Sequence, residues 1–164
     1  MLLLISLFLT TGLFTASSAK LTCPSGWVSY SKSCYKVYHL SDTSYDDMRF
    51  RKADLFCGFR GGMLAEINSE NENNFIKSFL ANRTDITHGV WIGLRKMWGQ
   101  FWMWDHSWDD VIFSDWADHQ GTQEGLCGGM FRKYKYSWAP EECLPDKEMS
   151  CLCEKKLRHS NYWD

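Results

Sequence analysis

The stretches HQGTQEGLC (residues 119–127) and WAPEEC (residues 138–143) each run into a cysteine and look like ligand-binding loops pinned at one end. Gln120, Thr122 and Glu124 carry side-chain oxygens that can hydrogen-bond a polar ligand or enter the shell of a hard divalent cation. Gly121, Ala139 and Pro140 carry none. A large hard cation takes about six to eight oxygens, so one carboxylate, Glu124, is a thin supply. A second chemical feature follows in FRKYKY (residues 131–136), where Lys133 and Lys135 alternate with Tyr134 and Tyr136. On a strand this spacing puts both lysines on one face and both tyrosines on the other. The plain reading is a solvated strand edge over buried tyrosines. The functional reading is contact with sulfated or sialylated glycans, helped by the basic tail KKLRH.

Catalytic patterns are missing. His39, His88, His106, His119 and His159 stand singly, with no metalloprotease helix motif and no Gly-x-Ser-x-Gly elbow. Asp105, Asp109, Asp110 and Asp115 cluster in the chain, but acidic loop residues are commonly just solvated. The chain is therefore expected not to be an enzyme. Its net charge of −2 disfavours nucleic acid as the main partner.

The elements that must position these residues are legible in patches. Residues 1–19 hold an apolar run from Leu2 to Phe14 and end in Ser17-Ser18-Ala19, the pattern of a secretory signal. No later segment is apolar enough to cross a bilayer, so the protein is expected to be secreted and extracellular. Seven cysteines in an exported chain imply a disulfide framework with one left over. CPSGWVSYSKSCY alternates as a short hairpin does. A helix is expected from Met48 to Phe59, burying Met48, Leu55 and Phe56 and ending at Gly61-Gly62. Ser69 and Glu72 have capping-box spacing, which starts a second helix with Phe75, Ile76, Phe79 and Leu80 as its buried stripe. Asn82-Arg83-Thr84 is an N-glycosylation sequon. VWIGL, FWMW, GGMFRKYKYSW and EMSCLCEKKL read as strands, with Trp102 and Trp104 on one face. Nine tryptophans mean a heavily aromatic core or a stacking surface.

In order along the chain, CPSGWVSYSKSCY, ADLFC, GGMLAEINSENENNF, VWIGL, FWMWDHS, Trp116, Cys127, WAPEEC and CLCEK resemble a C-type lectin-like domain of the long form, with its extra amino-terminal hairpin. The resemblance runs from Cys23 to Lys155. It implies an α+β double-loop fold with two helices, small antiparallel sheets and a long loop region that carries the ligand. The corresponding division is a signal peptide at 1–19, the domain at 20–155 and a short basic tail at 156–164. It also implies disulfides Cys23–Cys34, Cys57–Cys153 and Cys127–Cys143. Cys151 is left as a buried free thiol or as an interchain link in a homodimer.

In such domains a principal calcium on the long loop bonds the sugar directly. Its ligands come from a Glu-Pro-Asn or Gln-Pro-Asp triplet, a later Glu and a Trp-Asn-Asp triplet. Here Gln120-Gly121-Thr122 fall on the first triplet, Glu124 on the later Glu, and Ala139-Pro140 on the Asn-Asp pair, so the principal site is expected to be lost. A structural calcium site of some relatives maps to Glu66, Asn68, Glu72 and Glu154, all oxygen donors. The expected function is a secreted recognition module that binds carbohydrate or glycoprotein without the calcium bridge, through Gln120, Thr122, Glu124, Lys133 and Lys135. The alternative is a protein-binding domain, acting as a dimer subunit or extracellular matrix component.

Overall fold

Alternating side chains on either side of Lys32 build an antiparallel hairpin from β1 (Val28–Tyr30) and β2 (Ser33–Tyr38). The computed structural model describes residues 22–42, 49–118, 120–144 and 148–157. The expected leader, Met48, His119 and the tail beyond residue 157 lie outside them.

Helix α1 (Phe50–Phe59) buries Phe50, Ala53, Phe56 and Cys57. Leu55, expected inside, is 44% exposed. The apolar stripe is set by the Phe50–Ala53–Cys57 spacing, which turns Leu55 toward solvent. Gly61, at φ +72, ends the helix in the left-handed conformation that favours glycine. After β3 (Met63–Leu64), helix α2 (Glu70–Ala81) starts where its cap is encoded: Ser69 Oγ accepts from the Glu72 backbone N–H. Ile76 and Leu80 are buried, and Phe75 and Phe79 pack half-buried beside them.

The remaining strands are β4 (Gly89–Met97), β5 (Phe101–Trp104), β6 (Cys127–Phe131), β7 (Trp138–Glu141) and β8 (Ser150–Lys156). They join into one sheet in which a single parallel pairing stands beside the expected antiparallel ones. A single path runs β1-β2-β8-β4-β6-β7, with β3 attached to β8 and β5 to β4. The join is a short parallel pairing of β4 with β8, at Val90↔Ser150 and Trp91↔Cys151. Strand β8 also extends through Lys156, paired with Ser33, one residue past the expected end of the domain.

One polar chain ties α2 to this sheet through the core. The indole N–H of Trp138, a fully buried residue, donates to Asn73 Oδ1 at 2.9 Å. Asn73 Nδ2 donates to Asp115 Oδ2 at 2.9 Å, and Lys77 Nζ reaches the same oxygen at 2.7 Å.

The disulfides are Cys23–Cys34, Cys57–Cys153 and Cys127–Cys143, and Cys151 is a buried free thiol. The second closes a loop with a sequence separation of 96 and is worth ~4–5 kcal/mol in the chain-entropy picture. Cys151 Sγ lies 3.9 Å from Cys153 Sγ, close enough to exchange. Burial pushes the Cys151 thiol up to about 12, which starves the exchange of thiolate.

Two outcomes are expected. Asn73→Ala strands the buried Trp138 indole N–H and should destabilise the domain by ~1–3 kcal/mol in urea unfolding. Cys151 should resist iodoacetamide at pH 8 in the native protein and react in denaturant, while peptide mapping of the native form returns Cys57–Cys153. A Cys57–Cys151 peptide would mean that the exchange is not suppressed.

Candidate functional site

Between β5 and β6 the chain makes a long excursion held by two isolated bridges, Met103↔Asp110 and Trp116↔Trp138. Gln120–Thr122 forms a 3-10 turn laid on the Trp116 ring. Trp102 Nε1 fixes this turn by donating to Gly121 O at 3.1 Å. A Cβ on Gly121 would come within 2.9 Å of Trp116 Cδ1, so the packing itself excludes a larger residue. Thr122 and Glu124 stand exposed; the Gln120 side chain lies outside the described residues. Ala139 is 2% exposed in the core beneath, and Pro140 is half-buried in β7 opposite Gly128. Within residues 119–127 Glu124 is the one carboxylate, and Gly121, Ala139 and Pro140 add no side-chain oxygen.

Lys133 and Lys135 are not on a strand face. Strand β6 stops at Phe131, Arg132–Tyr134 form a 3-10 turn, and Lys135 and Tyr136 follow at φ +53 and +63. The cross-strand pair Met130↔Trp138 leaves residues 131–137 to reverse the chain, and the two left-handed residues accomplish the reversal. Tyr136 is buried as an anchor, while both lysines are exposed. Lys133 Nζ sits 4.6 Å from the centre of the Tyr134 ring. Both lysines line a hollow of about 410 Å³ with Asp115, Trp116 and Asp118; Thr122 and Glu124 do not line it. Thr122 and Glu124 thus belong to the loop and the two lysines to the hollow, with Trp116 common to both as the ring that lines the hollow and carries Gly121.

Glu66, Asn68, Glu72 and Glu154 do come together. Glu154 is fully buried and accepts from Ser33 Oγ at 2.6 Å and from the Glu66 N–H at 3.1 Å. Tyr35 donates its hydroxyl to Glu72 Oε1, with Glu154 Oε1 a second acceptor at 3.3 Å. Glu72 Oε2 accepts from the Asn68 N–H at 2.9 Å, and Glu66 Oε1 from the Ser107 N–H at 2.9 Å. Lys156 Nζ forms an ion pair with Glu154 Oε1. Burial, and next the Glu154 carboxylate, push the Tyr35 phenol far above its ordinary value and keep it a donor. Burial also raises Glu66.

The donor chemistry of this cluster fits a hard cation, yet no three carboxylates among the described residues have ligand atoms within 4.8 Å of one another. A cation would have to draw them in and displace Tyr35 and Lys156. Sequence reasoning missed both residues, although each was marked: Tyr35 faces Glu154 across the β2–β8 register, and Lys156 follows it by two on the same strand face.

The structure also brings together residues that are far apart in sequence around His39. Its Nδ1 lies 2.8 Å from Ser150 Oγ and its Nε2 2.8 Å from Asp85 Oδ2, a serine–histidine–aspartate order. Ser150 is only 7% exposed, and Arg83 shares both His39 Nε2 and the Asp85 carboxylate. A nucleophile so closed to solvent, beside a base whose outer nitrogen is occupied, is a tether between β2, β8 and the segment after α2. Asn82, the sequon residue, caps the end of α2 and is exposed, with its amide donating to Ser78 O at 3.0 Å.

Because Gly121 lies against an indole held by Trp102, Trp138 and the loop, Gly121→Ala should destabilise the domain by ~1–3 kcal/mol. Thermal unfolding reads this directly; an unchanged Tm would mean that the loop lifts freely off Trp116.

Comparison with known proteins places this geometry in a family. C-type lectin 9a of Crotalus adamanteus is 30% identical over 144 residues, covering 84% of this chain and 85% of the relative. The structure of human lithostathine superposes with a TM-score of 0.67 at 25% identity, over 82% of this chain and 99% of the other. A Ca2+-independent C-type lectin, SPL-2 from Saxidomus purpuratus, superposes with a TM-score of 0.67 at 22% identity, over 81% of this chain and 93% of the other, a likeness of fold. The family model for the lectin C-type domain matches residues 46–155. With the hairpin, the two helices, the mixed sheet and the loop-closing disulfide, this chain belongs to the C-type lectin domain family.

Proposed function

We propose that this domain is a secreted, non-enzymatic recognition module that binds a glycan or glycoprotein without a calcium bridge to the sugar. The observation that carries this reading is the packing at the loop. Ala139 is buried in the core and Pro140 half-buried in β7, at the positions of the family's Asn-Asp ligand pair, and Gly121, at the triplet's proline position, lies against Trp116. Exposed Thr122 and Glu124 remain to hydrogen-bond a polar ligand, as does Gln120 by its chemistry. Lys133 and Lys135 add positive charge at the neighbouring hollow. Each such contact in water is worth ~1 kcal/mol net, so a single sugar should bind weakly and a multivalent ligand well. SPL-2, a Ca2+-independent C-type lectin, carries the same fold and is compatible with recognition of this kind. Among the described residues no helix is long and apolar enough to cross a membrane.

Any structural calcium in this domain belongs, in the same reading, to Glu66, Asn68, Glu72 and Glu154 and not to the loop. Asn82, exposed at the end of α2, is sterically open to a glycan of its own, which a mobility shift after glycan-removing digestion would reveal.

The test is a glycan array run with calcium and again with chelator. Binding should persist in chelator, and a signal that chelator abolishes in a Glu72→Gln variant would return the ion to the loop. Calcium should raise the Tm of the wild type, and Glu72→Gln should remove most of that increment. An equal increment in both proteins would place the ion elsewhere.

A further inference from the structure

A second concave surface lies between α1, the start of the long excursion and the Cys127–Cys143 disulfide. It is a cleft of about 740 Å³, within the usual range for small-molecule sites. Arg51, Asp54, Arg95, Asp105, Trp108 and Leu144 line it. Asp105 is held by Arg95 Nη1 at 2.9 Å, and its side chain is 9% exposed. Arg51 Nη1 bonds Asp54 Oδ2 at 3.0 Å and lies 4.0 Å from Asp105 Oδ2. Burial, and next the Asp105 charge, raise the Asp54 carboxyl.

Trp108 stands over this polar floor, 59% exposed and at φ +63. A bulky side chain is rarely found in the left-handed region and stays there only where its surroundings over-determine it. Here they do. Trp108 N bonds Trp104 O at 2.9 Å, Asp109 N bonds Ser107 Oγ at 3.2 Å, and Ser107 N bonds the buried Glu66 carboxylate. The backbone is thus held in a disfavoured conformation on both sides of an indole that the core does not use.

Two guanidiniums and two carboxylates alternate with no net charge, so a charged ligand gains little from this cleft. Paired donors and acceptors beside a rigid aromatic face suit a molecule with adjacent hydroxyls on one side and a C–H face on the other. We propose that this cleft is a second contact site that takes a neutral saccharide, its pyranose ring on Trp108 and its hydroxyls on Asp54, Asp105 and Arg95. The inference rests on the recognition function proposed above and assigns that function a second surface.

The test is an NMR titration of the full mature chain, labelled with 15N, with methyl mannoside, methyl galactoside and N-acetylglucosamine, all in chelator. Trp108→Phe identifies the Trp108 indole resonance by its disappearance. At least one sugar should move that resonance saturably, and Asp54→Asn, a change on a different element, should weaken the effect by about tenfold. A Thr122 resonance that moves while Trp108 stays fixed would overturn the second site and leave the recognition reading intact. A shift at Trp108 that Asp54→Asn does not alter would overturn the assignment of the cleft. If no resonance moves and the array is blank, both readings fall.

Discussion

The indole of Trp138 is the point on which four parts of this domain converge. Its ring meets Trp104 of β5, Phe113 of the excursion and Trp116 beneath the loop, each edge-on at centroid distances of 5.7–5.9 Å. Its N–H is fixed by Asn73 of α2. Edge-to-face packing of this kind adds ~0.5–1.5 kcal/mol per pair to the area buried, but the geometric effect matters more. A loop without regular structure acquires a defined shape because two of its side chains, Phe113 and Trp116, must fit one buried ring.

That constraint explains why the loop over Trp116 looks as it does. Trp116 sits against Trp138, so whatever lies on Trp116 must be thin, and Gly121 is. Ala139 follows Trp138 directly and is buried in a cluster with Trp91, Phe131 and Met149, opposite Gly129. A side chain that reached for an ion from position 139 would have to leave that cluster. The residue types at positions 121 and 139 are thus tied to the packing around Trp116 and Trp138.

Where β2 meets β8, Glu154 plays a comparable organising role by polar means. A fully buried carboxylate is tolerable only when its charge is balanced and its oxygens are satisfied. Ser33, Tyr35 and Lys156 meet that demand from β2 and β8, and the Glu66 N–H meets it from the segment after β3. The same Glu66 extends its carboxylate to Ser107, beside the strained Trp108, so the hairpin, α2 and the exposed indole are linked through one cluster.

The sequence by itself determined what local patterning and short-range chemistry encode. The Ser69 cap, the Ile76–Leu80 stripe, the Gly61 stop, the alternation of the first hairpin and the order of landmarks are all visible in the chain, and the disulfide pairs follow from the family resemblance those landmarks carry. Tertiary structure decided whatever depends on register and on contacts distant in sequence. FRKYKY alternates like a strand, yet the pairing of Met130 with Trp138 forces it to turn, because two strands so joined must reverse within it. Leu55 reads as buried on a helical face with Met48 and Phe56 and is exposed because the sheet meets α1 along Phe50, Ala53 and Cys57. Tyr35 and Glu154 lie 119 residues apart and Glu66 and Ser107 lie 41 apart, so no local window holds either contact. Only the parallel join of β4 to β8 and the antiparallel register of β2 with β8 bring such groups together, and with them the surfaces on which a ligand can act.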